Sequence, residues 1–215
     1  MASTITLTQE SESIIHLCKK DKRLAKVISA IGPITYQNTE DPYVFLVETI
    51  IGQMLSNKVA AIMCDRLSNL CNGDICPEAI ASLSDEELRS IGISGSKVNY
   101  IRNLTNEIAK GNIVFSTIEN GTDDEVMKYL TSIKGIGKWS AKMYLIFVLD
   151  RQNVLPVEDM AFLQSYGWLY KTKDYKPAAV ATKCKKWTPY SSIAARYLYI
   201  ALDAGMTKEE FHLYK

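Results

Sequence analysis

LTSIKGIGKWSAKMYLIFVL, residues 130–149, is the stretch that decides the fold. Apolar residues recur at helical spacing on both sides of Gly135-Ile136-Gly137, so it reads as helix, tight turn, helix. Glycines supply backbone angles denied to residues with a Cβ and permit close approach. The second helix begins at once, so the amides around Gly135 to Trp139 face out of a helix N-terminus, where N–H donors lack partners and the dipole is positive. A phosphodiester fits such a site without a large basic patch. Lys134 and Lys138 flank the turn with point charges, and Ile133 and Ile136 are suited to bury beneath it.

Outward from this segment, almost every periodic stretch is helical. Residues 12–31 repeat Ile14, Leu17, Leu24, Val27, Ile28 and Ile31 at helical intervals. Asp41 and Pro42 supply an N-cap and a first-turn proline for an apolar segment running through Leu46, Val47, Ile50, Ile51, Met54 and Leu55. Val59, Ile62, Met63 and Leu67 mark a further helix. Ser84 with Glu87, and Thr122 with Glu125, are capping-box patterns. The helix over Lys97–Lys110 stops at Gly111, a natural helix-terminating glycine. No sustained two-residue alternation appears, so the fold class is all-α. Leu88–Gly95 echoes Leu130–Gly137, either as a repeat or as two ordinary helix connections.

Composition narrows the function classes. Lys and Arg number 25 against 24 Asp and Glu, a net charge of +1 that does not advertise nucleic acid. A DNA partner would therefore need a local positive field assisted by helix N-termini. No run approaches the roughly 18 apolar residues of a membrane span, and the start MASTITLTQESES lacks the basic and apolar regions of a secretion signal. Cys18, Cys64, Cys71, Cys76 and Cys184 are odd in number and show no paired CxxC spacing. That argues against a disulfide framework, a zinc site or an iron–sulfur cluster and fits a reducing compartment. His16 and His212 lack metal-ligand spacing to anything.

The string Leu130-x-x-Ile133-x-Gly135-Ile136-Gly137-x-Trp139-x-Ala141 closely resembles the helix-hairpin-helix of the 3-methyladenine DNA glycosylase II family, within the HhH-GPD superfamily. Val154-Leu155-Pro156-Val157-Glu158-Asp159 resembles that family's proline-containing loop, which leads to a catalytic aspartate at a helix start. Asp41-Pro42-Tyr43 and Ile50-Ile51-Gly52-Gln53-Met54-Leu55-Ser56 resemble its first middle-domain helix and DNA-penetrating loop. Trp187-Thr188-Pro189-Tyr190 resembles its W-x-P-[WY] signature. The matches run in order over roughly residues 12–204.

The resemblance implies a two-lobed helical glycosylase that hydrolyses the N-glycosidic bond of alkylated bases, of the 3-methyladenine type, in base excision repair. A six-helix lobe over 40–150 would hold the hairpin at about 122–149; a second lobe, 1–39 plus 151–215, would carry the catalytic residue near the interlobe cleft. The partner would be double-stranded DNA containing a damaged base, bound by a monomer that engages no membrane and is not secreted, in the cytoplasm at the nucleoid of a prokaryote or in the nucleus of a eukaryote. A base must leave the stack before chemistry reaches it; Gln53 and Met54 would fill the vacated space. Trp139, Tyr199 and Met143 would line the base pocket, where aromatic faces attract cationic alkylated rings. Asp159 would stabilise positive charge on the sugar and activate water, with Glu158 the rival carboxylate. Trp139 stands where strand-cleaving relatives carry a Schiff-base lysine, which implies a monofunctional enzyme. Carbonyls of Thr131, Ile133 and Ile136 match those holding a sodium or potassium ion in relatives; no cofactor serves catalysis. Mismatched, deaminated or oxidised bases are the alternative substrates, and a non-catalytic DNA-binding module is the alternative class.

Overall fold

A computed structural model describes residues 4–213, in two compact units: Thr39–Leu149, and the residues up to Asn38 together with those from Asp150 onward. Among the described residues the split unit begins with β1 (Thr4–Leu7), α1 (Glu12–Lys20), α2 (Lys22–Ile31) and β2 (Ile34–Gln37). The central unit holds α3 (Pro42–Gly52), α4 (Asn57–Leu70), α5 (Pro77–Ser82), α6 (Asp85–Ser90), α7 (Gly95–Ala109), α8 (Asp123–Ser132) and α9 (Lys138–Phe147). The split unit closes with α10 (Met160–Tyr170), α11 (Pro177–Cys184) and α12 (Ser191–Asp203).

The architecture is all-α with one small exception. β1 and β2 pair antiparallel, with Ile5 opposite Tyr36 and Leu7 opposite Ile34. Each strand is only four residues long, too short for alternation to stand out in the sequence. The helical pattern over 12–31 also divides. Asp21 interrupts it and caps α2, its Oδ1 accepting the amides of Arg23 and Leu24 at 3.0 and 3.3 Å.

In the central unit, Asp41 caps α3 as its spacing predicts, accepting from the amides of Tyr43 and Val44 at 2.8 and 3.1 Å. α3 buries Leu46, Val47, Ile50 and Ile51 completely, and full burial of such side chains contributes roughly 1.5–3 kcal/mol each. α3 packs against α4, α7 and α9, while α8 lies against α9. Seven helices occupy this unit among the described residues, one more than the six expected, because residues 77–90 form two short helices. α6 and α8 both begin with complete capping boxes, at Ser84/Glu87 and Thr122/Glu125.

The split unit gathers its core from both ends of the chain, including Leu17, Leu24 and Val27 with Phe162, Leu169, Trp187 and Leu198. Asp21 is its polar hub. Oδ2 accepts from Trp187 Nε1 at 2.9 Å and from the Tyr170 hydroxyl, and pairs with Lys186 Nζ at 3.1 Å. Burial pushes the Asp21 carboxyl upward, but these hydrogen bonds outweigh it, and its pKa lies below the ordinary aspartate value. Trp187 thus fixes the start of α2 to the segment before α12. No helix among the described residues is long and apolar enough to cross a membrane.

Candidate active site and nucleic-acid interface

The hairpin joins α8 to α9 through residues 133–137. Ile133 and Ile136 are buried under the turn, and the Ile136 amide donates to the Ile133 carbonyl at 3.0 Å. Gly135 has φ +101°, and a Cβ there would sit 2.5 Å from Tyr100 Cβ and 2.9 Å from Tyr100 Cδ1. Its glycine is therefore required from inside the fold, by backbone angle and by close packing on α7. Gly137 differs: its φ is −96°, and a Cβ added there would meet nothing within 4 Å. What Gly137 keeps clear is space outside the turn. It is the N-cap of α9 and offers no side-chain cap, so the first-turn amides face outward. Lys134 and Lys138 are exposed beside it.

The echoed segment shares the conformation and differs in its end. Gly92, between α6 and α7, has φ +102°. But Ser94 caps α7 with its own side chain, accepting from the Lys97 amide at 3.5 Å. The second turn alone of this pair presents a helix start capped by glycine.

Between α3 and α4 the chain passes through Met54, with φ +59° and a side chain that is fully exposed at 101%. Core packing is excluded for it. Gln53 turns the other way. Its Nε2 donates to the Gly135 carbonyl at 2.9 Å and lies 3.5 Å from Ser140 Oγ. In this conformation only Met54 of the expected pair projects outward. On α9, Trp139 is partly exposed and Met143, one turn on, is buried.

In the split unit, Asp159 is 8% exposed whereas its neighbour Glu158 is exposed, which separates the two rival carboxylates. Asp159 is the N-cap of α10; Oδ1 accepts the Phe162 amide at 2.7 Å. Tyr199, on α12, faces it: burial, then the negative charge of Asp159 and a hydrogen bond to it, push the phenol well above its ordinary value.

The loop before Asp159 is fastened by the start of α12. Ser192 Oγ donates to the Arg151 carbonyl at 2.5 Å and accepts the Val154 amide at 2.9 Å, while the Ser192 amide donates to the Gln152 carbonyl at 2.9 Å. Ser191 Oγ donates to Asn153 Oδ1 at 2.9 Å. The serines that follow the Trp-Thr-Pro-Tyr string thus hold the approach to Asp159. Tyr144 and Trp187 are core residues, fully buried, and Tyr190 packs edge-on against His16 at 5.4 Å.

Sequence reasoning missed Arg196. It is buried on α12, one turn before Tyr199, with its guanidinium 3.9 Å from the Tyr36 ring centroid and Nη2 3.4 Å from Asp150 Oδ1. The Tyr36 hydroxyl donates to the same oxygen at 3.2 Å. Burial lowers the Arg196 pKa against the opposing pull of Tyr36 and Asp150, and burial pushes the Tyr36 phenol up to about 12. The available signal was a lone charge in the otherwise apolar run Ile193–Leu202.

Among the described residues no group of three or more His, Cys, Asp or Glu side chains is arranged to hold a metal. The hairpin offers oxygen donors of another kind. Thr131 lies in the last turn of α8, its hydroxyl already donating to the Met127 carbonyl at 2.7 Å, and Ile133 and Ile136 follow in the turn. Main-chain carbonyls at a helix C-terminus suit a hard monovalent cation.

Comparison with known proteins places these features in context. Residues 47–190 match the HhH-GPD superfamily of base excision DNA repair proteins. A DNA-3-methyladenine glycosidase from Bacillus halodurans is 31% identical, with 97% of each chain aligned and a TM-score of 0.81. The 3-methyladenine DNA glycosylase of Schizosaccharomyces pombe, solved in complex with abasic DNA, is 26% identical over 90% of this chain and 97% of that one, with a TM-score of 0.83.

Proposed function

Because this chain belongs to the HhH-GPD superfamily of base excision DNA repair proteins, we propose that it is a monofunctional DNA glycosylase hydrolysing the N-glycosidic bond of alkylated bases, 3-methyladenine among them. The observation that carries this reading is the buried Asp159 carboxylate, held at the start of α10 with Tyr199 against it. A DNA-binding module needs the hairpin alone and has no use for a buried carboxylate on a loop tied down by two serines.

Departure of the base leaves positive charge on the sugar. The Asp159 carboxylate opposes that charge in a site of reduced polarity, where one preorganised group is worth about 2.7–4 kcal/mol in the transition state. The same carboxylate accepts a proton from the water that adds to the sugar carbon, while the base leaves with the bonding electron pair. Alkylation makes the base a better leaving group and often a cation. In the central unit, partly exposed Trp139 offers an aromatic face to such a ring, with Met143 adding polarisable bulk; in the split unit, Tyr199 stands against Asp159. Met54 fills the space in the duplex. An apolar side chain exposed on a loop suits a wedge between base steps.

The amides around Gly137, with Lys134 and Lys138, grip a phosphate. A sodium or potassium ion held by the carbonyls of Thr131, Ile133 and Ile136 would add positive charge to this grip. Trp139 has no amine to attack the sugar, so the product is an abasic site. The test is a panel of duplexes, each with one lesion, incubated with the protein and analysed with and without hot alkali. Release of alkylated bases, with strand breaks only after alkali, is the expected result. Preferential release of deaminated or oxidised bases would replace the substrate class. No release from any lesion would return the chain to the binding-module reading.

A further inference from the structure

One face of α7 holds together the two parts of the central unit that touch DNA in the reading above. Lys97, Tyr100 and Asn103 recur every three residues along it, a spacing that puts neighbours on one side of a helix. Lys97 Nζ donates to two carbonyls at the end of α3, Ile51 and Gln53, each at 2.7 Å. A cation there meets the negative end of α3. Burial lowers the Lys97 pKa, as expected of an ammonium turned inward. Tyr100 lies against Gly135, and Asn103 Nδ2 is 3.5 Å from the Lys134 carbonyl. Gln53 closes the circuit, with its backbone carbonyl on Lys97 and its side-chain amide on the Gly135 carbonyl.

Met54 is the next residue. A fully exposed apolar side chain at φ +59° is held by nothing in its own contacts. Non-glycine residues avoid that backbone region, so the surroundings impose it: the Leu55 amide closes the turn on the Gly52 carbonyl at 3.0 Å, and Lys97 holds the Gln53 carbonyl on the N-terminal side of Met54.

We propose that Lys97 is a positioning residue that sets the projection of Met54, and that the Lys97–Tyr100–Asn103 face of α7 makes gripping the phosphates and displacing the base a single mechanical act. Two mobile parts would let the protein bind the backbone without probing the stack. A common support removes that option. The functional half of this inference rests on the glycosylase reading; the structural half does not.

Lys97→Met, which keeps most of the side-chain length and removes the donor, tests both. Amide hydrogen exchange reads the structural half. The Leu55 amide, now donating to the Gly52 carbonyl at 3.0 Å, is expected to lose protection at least tenfold while core amides of α3 keep theirs. Single-turnover base release reads the functional half. Excision of a lesion in a normal pair should fall at least tenfold, whereas the same lesion in an unpaired bulge, where the base needs no displacement, should change less than twofold. Affinity for undamaged duplex should stay within twofold. Met54→Ala should reproduce the pattern, and the double variant should be no worse than Met54→Ala alone, since coupled residues do not add. Should Lys97→Met fail to fold, Lys97→Gln, which keeps one donor arm, gives the same comparison in weaker form. Unchanged Leu55 protection, or equal loss on paired and bulged lesions, would overturn the proposal. A wild-type protein that releases no base, with Leu55 protection still lost in the variant, would count against the glycosylase reading and leave the brace standing.

Discussion

Replacing Gly135 by alanine adds one methyl group and should damage the hairpin more than any other single methyl in the turn. Two costs combine. At φ +101° an L-residue is strained, and left-handed backbone alone costs roughly 1–2 kcal/mol. The new Cβ would also stand 2.5 Å from Tyr100 Cβ, and overpacking of this sort costs typically about 1–3 kcal/mol as neighbours shift. The sum, about 2–5 kcal/mol, corresponds to a fall in Tm of roughly 4–20 °C for a chain of this size. Relief comes only by moving the turn off α7, so affinity for duplex DNA should fall with stability. Thermal denaturation and fluorescence-anisotropy binding measure the two. In the double variant Gly135→Ala/Tyr100→Ala, removing the Tyr100 ring should restore little stability, because the strained backbone and the contact with the residue-100 Cβ remain and packing is lost, and the two changes should be non-additive. Gly135→Ala with the stability and affinity of wild type would refute the claim that this glycine is demanded from within.

Gly137→Val should behave in the opposite manner. Nothing lies within 4 Å of its added Cβ, so stability should drop by no more than about 1 kcal/mol, the cost of a poorer cap. Binding to lesion-containing and undamaged duplexes should weaken alike, since phosphate contacts carry no sequence information; equal affinity for both, with the fold intact, would count against the hairpin as the grip. Asp21→Asn should lower stability at neutral pH by roughly 1.5–3 kcal/mol, the worth of hydrogen bonds to a charged group. Its folded pKa is depressed, so that stability is fully present above the ordinary aspartate value and fades as pH falls through the folded one; the gap between wild type and variant in denaturation curves should narrow in acid. Borohydride treatment during turnover should trap no protein–DNA adduct, because the position that would need an amine holds Trp139. A covalent product that vanishes on mutating Lys138 or Lys142 would show strand-cleaving chemistry instead.

Features set by local demand were legible in the sequence. Gly135 in the hairpin, the capping boxes at Ser84 and Thr122 and the Asp41 cap each state a requirement within a few residues, and each appears as read; Gly137, with extended angles open to any residue, does not show the backbone demand its type suggests. Long-range demands were hidden. Asp21 reads as a polar position on an unbroken helix, and its partners Tyr170, Lys186 and Trp187 lie far along the chain. The β1–β2 ribbon joins four-residue segments from opposite ends of the first two helices. Gln53 and Met54 are adjacent and look equivalent in sequence; only the positive φ at Met54 sends one inward and the other out. Arg196 meets Tyr36 and Asp150 from two other parts of the chain, so no spacing rule links them.

In the glycosylase reading Asp159 does chemistry as well as capping α10. Asparagine caps a helix N-terminus as well as aspartate does and can keep the bond to the Phe162 amide, now 2.7 Å, so Asp159→Asn removes the charge and spares the fold. The decisive measurement is single-turnover release of 3-methyladenine from duplex DNA by Asp159→Asn, with Tm and DNA affinity determined on the same preparation. A rate at least about 100-fold below wild type is expected, the usual loss when a preorganised charge or donor is removed, with Tm and affinity nearly unchanged. Release at the wild-type rate would show that Asp159 is a helix cap and nothing more.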